Sequence, residues 1–508
     1  METNIIVLRD IETGVSFEAT FKPSGFKKVL KEVIPFIQDF KSKTGKSIYL
    51  VGGALRNLLT HRIVKDLDFA TDASTEEIRN FFPVKEVGAH FGVNLVTFQD
   101  KTYEVARFRT ESSFSNNRKD FKIEFAETLL EDIKRRDFTV NTLALTTIGK
   151  GDIPVIVCTR QAYADIRSLT LRFQGDAAER IQEDPLRILR GLRLALQNEL
   201  YVDDTILLEI TSKIHTLDLL SKERIYDEMI KILKAVYNVK SIHPNLLNLF
   251  EIVFIKLFSM VDFSPILLKD KVNPYADSLN YNQNSKYHYY TLDKHVLNAL
   301  SLYNVTRHET TLRHAFSLAL FLHDLGKPYV AKVNQKTGFT NYIRHEEVSA
   351  ELATLFLKHF KCPKKEIYII TELIRNHTKE LTKNENNLIL SNSLKHITIY
   401  DLSLLKLCDD RAKNPVGITN STTLSANAIL RIDSIEKDIY DGFEKLKLYL
   451  GGKLIKSHKD LCFDIVPALK ERLPDNKLKE ALLEVTNWVI KHKRNNEKDI
   501  MSFIKCKY

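Results

Sequence analysis

The stretch Val51-Gly52-Gly53-Ala54-Leu55-Arg56, followed by Lys65-Asp66-Leu67-Asp68, constrains this chain more than any other feature. Ser47-Ile48-Tyr49-Leu50-Val51 reads as a short buried strand, broken by the glycine pair, with a helix over Ala54 to Leu59 and a second strand through Leu67-Asp68-Phe69-Ala70. Glycines between strand and helix let backbone N–H groups approach a phosphate, and the helix N-terminus adds a favourable dipole. On a strand, residues i and i+2 point to one side, so Asp66 and Asp68 are expected to present two carboxylates together. Like charges side by side are costly unless a cation sits between them. Magnesium, which takes carboxylates plus phosphate oxygens, is the expected ion. In a two-metal scheme, one ion activates an attacking hydroxyl and the other stabilises the leaving group.

Around this centre the chain divides by pattern. Residues 1–42 read as an N-terminal extension with an amphipathic helix from Phe26 to Phe40. Residues 43–165 read as a mixed-sheet head, with alternating stretches at Val93–Phe98 and Thr102–Arg109. From Asp176 the pattern is helical almost to the end. A neck and body over 166–285, a further domain over 286–415 and a helical C-terminal region over 416–508 follow, with Tyr275–Ser285 reading as a linker or long loop. The expected class is α+β: a small mixed-sheet head followed by a mainly α-helical neck, body and metal-binding domain.

Composition narrows the setting. Of the 508 residues 44% are hydrophobic and 28% charged, and five scattered cysteines form no CxxC pair. That argues against a disulfide framework or structural zinc and suits a reducing cytoplasm. No apolar run reaches the roughly 20 residues a bilayer needs, and the start lacks the basic-then-apolar order of a secretory signal. The formal charge of +10 fits a phosphate-backbone binder, and equally a solvated lysine-rich surface.

Two further stretches carry chemistry in the first half. One is Glu131-Asp132-Ile133-Lys134-Arg135-Arg136-Asp137-Phe138-Thr139-Val140-Asn141. The other is Glu183-Asp184-Pro185-Leu186-Arg187-Ile188-Leu189-Arg190-Gly191-Leu192-Arg193, where arginines recur every third residue after a proline suited to a helix's first turn. A guanidinium and a carboxylate on one face can read the edge of a base, since Arg donates in a rigid fork and Asp accepts. A salt-bridged surface helix is the plainer alternative.

Taken in order, GGALR, KDLDFAT, YEVARFR, RRDFTVN, EDPLRILRGLRLA and SKERIYDE, over residues 49 to 231, resemble the class II tRNA nucleotidyltransferase and bacterial poly(A) polymerase superfamily. The resemblance implies that Gly52, Gly53 and Arg56 hold a triphosphate. Asp66 and Asp68 then bind catalytic Mg2+, with Glu104 as third carboxylate. Arg136, Asp137 and Asn141 contact the nucleotide. Asp184 and Arg187 act as a protein template for C and A, supported by Arg190 and Arg193. Glu228, in the last motif, braces the neck. CTP, ATP and the 3′ end of tRNA are the implied substrates. Asn57, where the family usually has aspartate, and Thr60-His61 depart from the pattern without replacing a metal ligand. Residues 109–125 resemble the loop that switches from C to A addition. Val87–Val93 lacks the double-basic stretch of poly(A) polymerases, so CCA addition is expected over poly(A) or partial addition.

A second constellation follows. His295, His323-Asp324, His345, His377 and Asp409 occur in that order, centred on an apolar run ending in His323-Asp324-Leu325-Gly326-Lys327. Buried charge is expensive and a metal relieves it. The series resembles the HD superfamily of metal-dependent phosphohydrolases. That likeness implies a primary metal set of His295, His323, Asp324 and Asp409, with His345 and His377 for a second metal or a phosphate, and Asp410 able to take the place of Asp409. Mn, Fe, Ni, Co or Zn suits such ligands.

Overall fold

A computed structural model describes residues 4–21, 26–60, 62–64, 66–88, 92–112, 122–149, 152–237, 242–267, 272–306, 313–379, 394, 396–413, 458–462 and 464–508. The architecture is α+β, and the chain separates into two compact units: Met1–Ser221 with Ser241–Val253, and Lys222–Lys240 with Phe254–Tyr508.

The first unit is built on a nine-stranded mixed sheet. Its strands are β1 (Asn4–Asp10), β2 (Ser16–Phe21), β3 (Ile48–Val51), β4 (Asp68–Thr71), β5 (Val84–Gly88), β6 (Val93–Phe98), β7 (Lys101–Arg107), β10 (Ala144–Ile148) and β11 (Ile153–Cys158). The spatial order is β2-β1-β11-β10-β3-β4-β7-β6-β5. Residues before 43, expected to form an extension, therefore supply two strands of the sheet. β1 runs parallel to β11, with Val7 opposite Val155. That pairing closes nearly the whole first unit in sequence, and no local periodicity announces it.

The helix Phe26–Thr44 buries Phe26, Val33, Phe36, Ile37 and Phe40, a single stripe at helical spacing. Phe36 packs against Phe69 and Tyr103, with ring centroids 5.0 and 4.9 Å away. One face of the sheet is thereby covered. The opposite face carries Val51, Ala70 and Ala144 against Leu129 and Ile133 of the short helix Leu129–Lys134. Because Asp68 alternates with Phe69, it stands on this second face, at the β4 end where β3 turns into the next helix. Beside the sheet, β8 (Arg109–Ser112) and β9 (Lys122–Phe125) pair as a separate hairpin. They flank the switching loop expected over 109–125, whose residues 113–121 lie outside the described ones, as do Lys65, His61 and part of the Val87–Val93 stretch.

Among its described residues the second unit is helical apart from a two-strand hairpin at Lys332–Val333 and Thr340–Asn341. Helices Leu292–Thr306, Arg313–Leu322, His345–His359, Lys364–Asn376 and Ile399–Ala412 make up the part that carries the histidine series. The Tyr275–Ser285 stretch is not a free linker. It opens with the helix Pro274–Ser278, and Asn280 and Gln283 then tie it back to Asp293 and Tyr290 at 3.2 and 3.1 Å. Gln283 and Asp293 spend their side chains on backbone groups here, Gln283 Nε2 on the Tyr290 carbonyl and Asp293 Oδ1 on the Asn280 N–H, a use that composition does not distinguish from solvation. Within the 416–508 region, helices Asp475–His492 and Glu497–Lys507 enclose a core of Val485, Val489, Ile500 and Ile504. Among the described residues no helix is long and apolar enough to cross a membrane.

Candidate functional sites

At the head, Gly52 is the residue on which the turn depends. Its φ of 73° and ψ of −139° belong to glycine's range, and it directly precedes the helix Gly53–Leu59. A Cβ placed there meets nothing within 4 Å, so the space in front of the backbone is open. The cost of a side chain is thus conformational rather than steric. Gly52→Ala is expected to cost roughly 1–3 kcal/mol, read as a lower thermal midpoint, and an unchanged midpoint would show that the turn can relax.

Asp68 pairs in register with Glu104 across the parallel strands β4 and β7, which puts both carboxylates on one face. Asp66 lies two residues before the strand, and all three are exposed. Partial desolvation, then the charges of Glu104 and Asp66, raise the Asp68 carboxyl above its usual range, against Arg136. Among the described residues the three carboxylates do not close into one coordination sphere as the histidine set below does.

The nucleotide-binding candidates from three separate motifs meet in one network. Buried Arg56 donates through Nη1 to Asn141 Oδ1. Asn141 Nδ2 donates to Asp137 Oδ1 at 3.2 Å, and Arg190 grips Asp137 Oδ2 through Nε and Nη2 at 2.9 and 2.6 Å. Burial works against ionisation of Asp137, yet the Arg190 guanidinium holds its carboxyl below the ordinary range. Burial followed by the charge of Arg193 brings Arg56 down to about 10. Four arginines, counting Arg136, thus collect where the carboxylates of Asp137 and Asp132 only partly neutralise them, an electrostatic setting for a polyanion. Asn57, the departure from the family pattern, accepts from Arg56 Nε and Nη2 at 3.2 and 2.9 Å and brings no negative charge.

Asp184 and Arg187 are placed differently from the expectation of one shared face. Asp184 lies ahead of the helix Leu186–Asn198 and caps it through Oδ1 to the Leu186 N–H at 3.2 Å. Arg187 is buried, its Nη1 on Glu183 Oε2 at 2.6 Å and on the Arg180 carbonyl at 2.9 Å, and its Nη2 on the Arg135 carbonyl at 3.2 Å. Asp132 is a residue that motif reading passed over: it is buried and holds Arg135 at 2.5 Å and Arg136 at 2.8 Å. Its signal was the acid three and four residues ahead of the two arginines that follow the short helix Leu129–Lys134.

In the second unit, four of the expected ligands converge. Donor atoms of His295, His323, Asp324 and Asp409 all lie within 4.8 Å of one another, and Asp324, His345 and His377 form a second such group. Asp324 belongs to both. His295 Nε2 is 3.0 Å from Asp409 Oδ1, and His345 Nε2 is 3.1 Å from Asp324 Oδ1. Asp410 instead turns outward to Lys413 at 2.7 Å, so Asp409 is the inward carboxylate. The apolar run Leu318–Leu322 is buried and delivers His323 and Asp324 in the turn after its helix. Gly326 then lets that turn touch the next helix, since a Cβ there falls 2.6 Å from the His345 carbonyl oxygen.

Three histidines share one device. Nδ1 of His323, His345 and His377 lies 2.8, 2.7 and 2.6 Å from the carbonyls of Leu320, Tyr342 and Ile374, each three residues back. Nδ1 therefore carries a proton, and Nε2 points its lone pair inward, the tautomer a metal requires. Both nitrogens of His295, Nε2 of His323 and Oδ1 of Asp324 are buried without a hydrogen bond. Burial alone lowers His323, but Asp324 and Asp409 push it up to about 10. Imidazole lone pairs beside two buried carboxylates fit a divalent transition ion. Sequence reading missed Lys327, whose buried Nζ lies 2.6 Å from Asp324 Oδ2 and 2.8 Å from Gln283 Oε1.

Comparison with known proteins first defines the class. Residues 48–172 match the family described as Poly A polymerase head domain. The chain is 37% identical over 215 residues to the CCA-adding enzyme of Enterococcus faecalis, covering 42% of this chain and 52% of that protein. With the CCA-adding enzyme of Streptococcus uberis it shares 36% over 214 residues, 42% of this chain and 51% of the other. The chain thus spans about half the length of the curated relatives it matches. Its fold is that of the CCA-adding enzyme of Bacillus stearothermophilus, solved in complex with CTP, at a TM-score of 0.61 and 20% identity over 94% of this chain and 97% of that one. The family match is thus to the head, residues 48–172, and the likeness to the solved structure is one of fold.

Proposed function

We propose that this chain is a cytoplasmic nucleotidyltransferase that adds C, C and A to the 3′ end of tRNA from CTP and ATP. The observation that carries the reading is the Arg56–Asn141–Asp137–Arg190 network, which joins three motifs around the open backbone at Gly52. In this reading the Gly52–Gly53 turn and Arg56 receive the triphosphate, Asp137 positions the ribose, and Asp68 with Glu104 and Asp66 holds Mg2+. In the two-metal scheme one such ion would activate the attacking hydroxyl and a second would stabilise the departing pyrophosphate. Incubating the protein with tRNA lacking its 3′ end, Mg2+ and each labelled nucleotide tests it: incorporation of C and A alone is expected. Runs of A alone would make it a poly(A) polymerase, and C or A singly a partial enzyme.

Base choice provides a finer test. Asp184→Ala should relax selection among CTP, ATP, UTP and GTP more than it slows the best nucleotide, by on the order of 1–3 kcal/mol of discrimination. Arg187→Ala should do the same and also lower thermal stability, because its guanidinium holds Glu183 and two carbonyls. For Arg187 to read a base it must exchange those partners when a nucleotide binds. Equal losses with all four nucleotides would assign the helix a bracing role only.

We further propose that residues 286–415 form an HD-type phosphohydrolase domain, its primary metal held by His295, His323, Asp324 and Asp409 and a second ion or a phosphate by His345 and His377. The bound ion supplies an activated water for phosphoester hydrolysis. The convergence of unbonded, buried nitrogen and oxygen atoms supports this reading over a purely structural cluster.

A further inference from the structure

The Arg56 guanidinium folds back over its own turn. A Cβ on Gly53 would lie 3.1 Å from its Nη2 and 3.7 Å from its Cζ, so a bare glycine is what leaves room for it, beside the open space at Gly52. Although Arg56 is buried, its side-chain hydrogen bonds among the described residues all run to amide oxygens. Asn57 Oδ1 takes Nε and Nη2 at 3.2 and 2.9 Å, and Asn141 Oδ1 takes Nη1. The acids of the network are committed to other cations, Asp137 to Arg190 at 2.6 Å and Asp132 to Arg136 at 2.8 Å. The far end of Asn57 is occupied as well: its Nδ2 donates to the Ile63 carbonyl at 3.2 Å, three residues before Asp66. A donor-only guanidinium on one side and a carbonyl on the other fix which way the amide points.

A buried cation held by neutral groups is costly unless an anion comes to it. A carboxylate at position 57 would relieve that cost, and it would compete with a phosphate for the same guanidinium. It could not also donate to the Ile63 carbonyl. An amide serves both neighbours and leaves the charge of Arg56 whole. We propose that Asn57 is a positioning residue that sets the affinity of the triphosphate site, orienting Arg56 toward the phosphates without cancelling the charge that attracts them. This rests on the nucleotidyltransferase reading above. Two substitutions separate orientation from charge. Asn57→Asp keeps the size and the acceptor, loses the tie to Ile63 and adds a negative charge beside the phosphates. Asn57→Ala loses the bonds on both sides and adds no charge.

The test measures binding of CTP and of inorganic tripolyphosphate, which has neither base nor ribose, by titration calorimetry on the full chain with Mg2+ and no RNA. Asn57→Asp should weaken both ligands by about tenfold or more, and Asn57→Ala by less, since a unit charge beside the phosphates outweighs a lost neutral hydrogen bond. Thermal midpoints should run the other way, with Asn57→Asp above Asn57→Ala, because the new carboxylate pairs with Arg56. Binding of tripolyphosphate should also depend less on salt in Asn57→Asp than in the unmodified chain, where Arg56 keeps its full charge. A bracing role alone predicts losses at least as large with Ala as with Asp, and that result would overturn the proposal. So would weakening of CTP with tripolyphosphate unaffected, a midpoint for Asn57→Asp below that of Asn57→Ala, an unchanged salt dependence, or no tripolyphosphate binding by the unmodified chain. The expected binding pattern in a protein that adds neither C nor A to tRNA lacking its 3′ end would uphold the phosphate site and sink the transferase reading alone. Normal addition of C and A, with both variants binding like the unmodified chain, would overturn the role of Asn57 and leave that reading standing.

Discussion

With Asp68→Ala, incorporation of both C and A into a tRNA lacking its 3′ end should fall by about three orders of magnitude or more, since a metal contributes several kcal/mol to such a step. Affinity for tRNA should stay near normal, because the carboxylate faces the partner acid Glu104 and serves the ion rather than the RNA. Asp66→Ala should behave alike. Near-normal turnover in either variant would overturn the metal assignment. The pH dependence has a definite sign. Desolvation and the neighbouring acids raise the Asp68 carboxyl, so protons compete with the cation at higher pH than for an ordinary aspartate. The Mg2+ concentration needed for half-maximal rate should therefore climb as pH falls through that group, and climb less in Glu104→Gln, where one raising charge is gone.

The second large effect lies in the other unit. Asp324 is the one residue common to both ligand groups, so Asp324→Ala should remove bound transition metal from both at once and abolish phosphoester hydrolysis. Nucleotide addition should continue, since Asp66, Asp68, Arg56 and Asp137 are untouched. His345→Ala, by contrast, should leave the four-ligand group loaded. Asp324→Ala also strands Lys327, whose buried ammonium loses its 2.6 Å carboxylate, and an unpaired buried charge is strongly destabilising. Thermal unfolding measured beside metal content separates the two causes. Loss of both activities with an intact fold would show that the two sites are not independent.

How far the sequence foretold this depends on the range of the interaction. The strand into Gly52, the helix after it and the strand Val93–Phe98 are local patterns, and they stand almost where periodicity places them. β1 and β11 escaped notice because their pairing spans about 150 residues, and a continuous apolar run such as Ile153–Cys158 does not declare its partner. The histidine series was legible because ligand chemistry restricts residue type. Lys327, Gln283 and His288 were not, since any of the three in a polar loop reads as solvated. Arg187 shows the limit of spacing arguments. A three-residue repeat correctly put guanidiniums on one helix, but did not say which acid each would meet: Glu183, one turn back, takes Arg187, and the distant Asp137 takes Arg190.

One consequence concerns how this histidine cluster can change over generations. In many metal sites the imidazole is aligned by a neighbouring carboxylate, and a single substitution there misaligns the ligand. Here three of the rings are aligned by peptide carbonyls three residues back. No codon change at Leu320, Tyr342 or Ile374 deletes a carbonyl. The side chains lining the cavity are free to drift toward new phosphoesters while the ring orientations are inherited from the main chain itself.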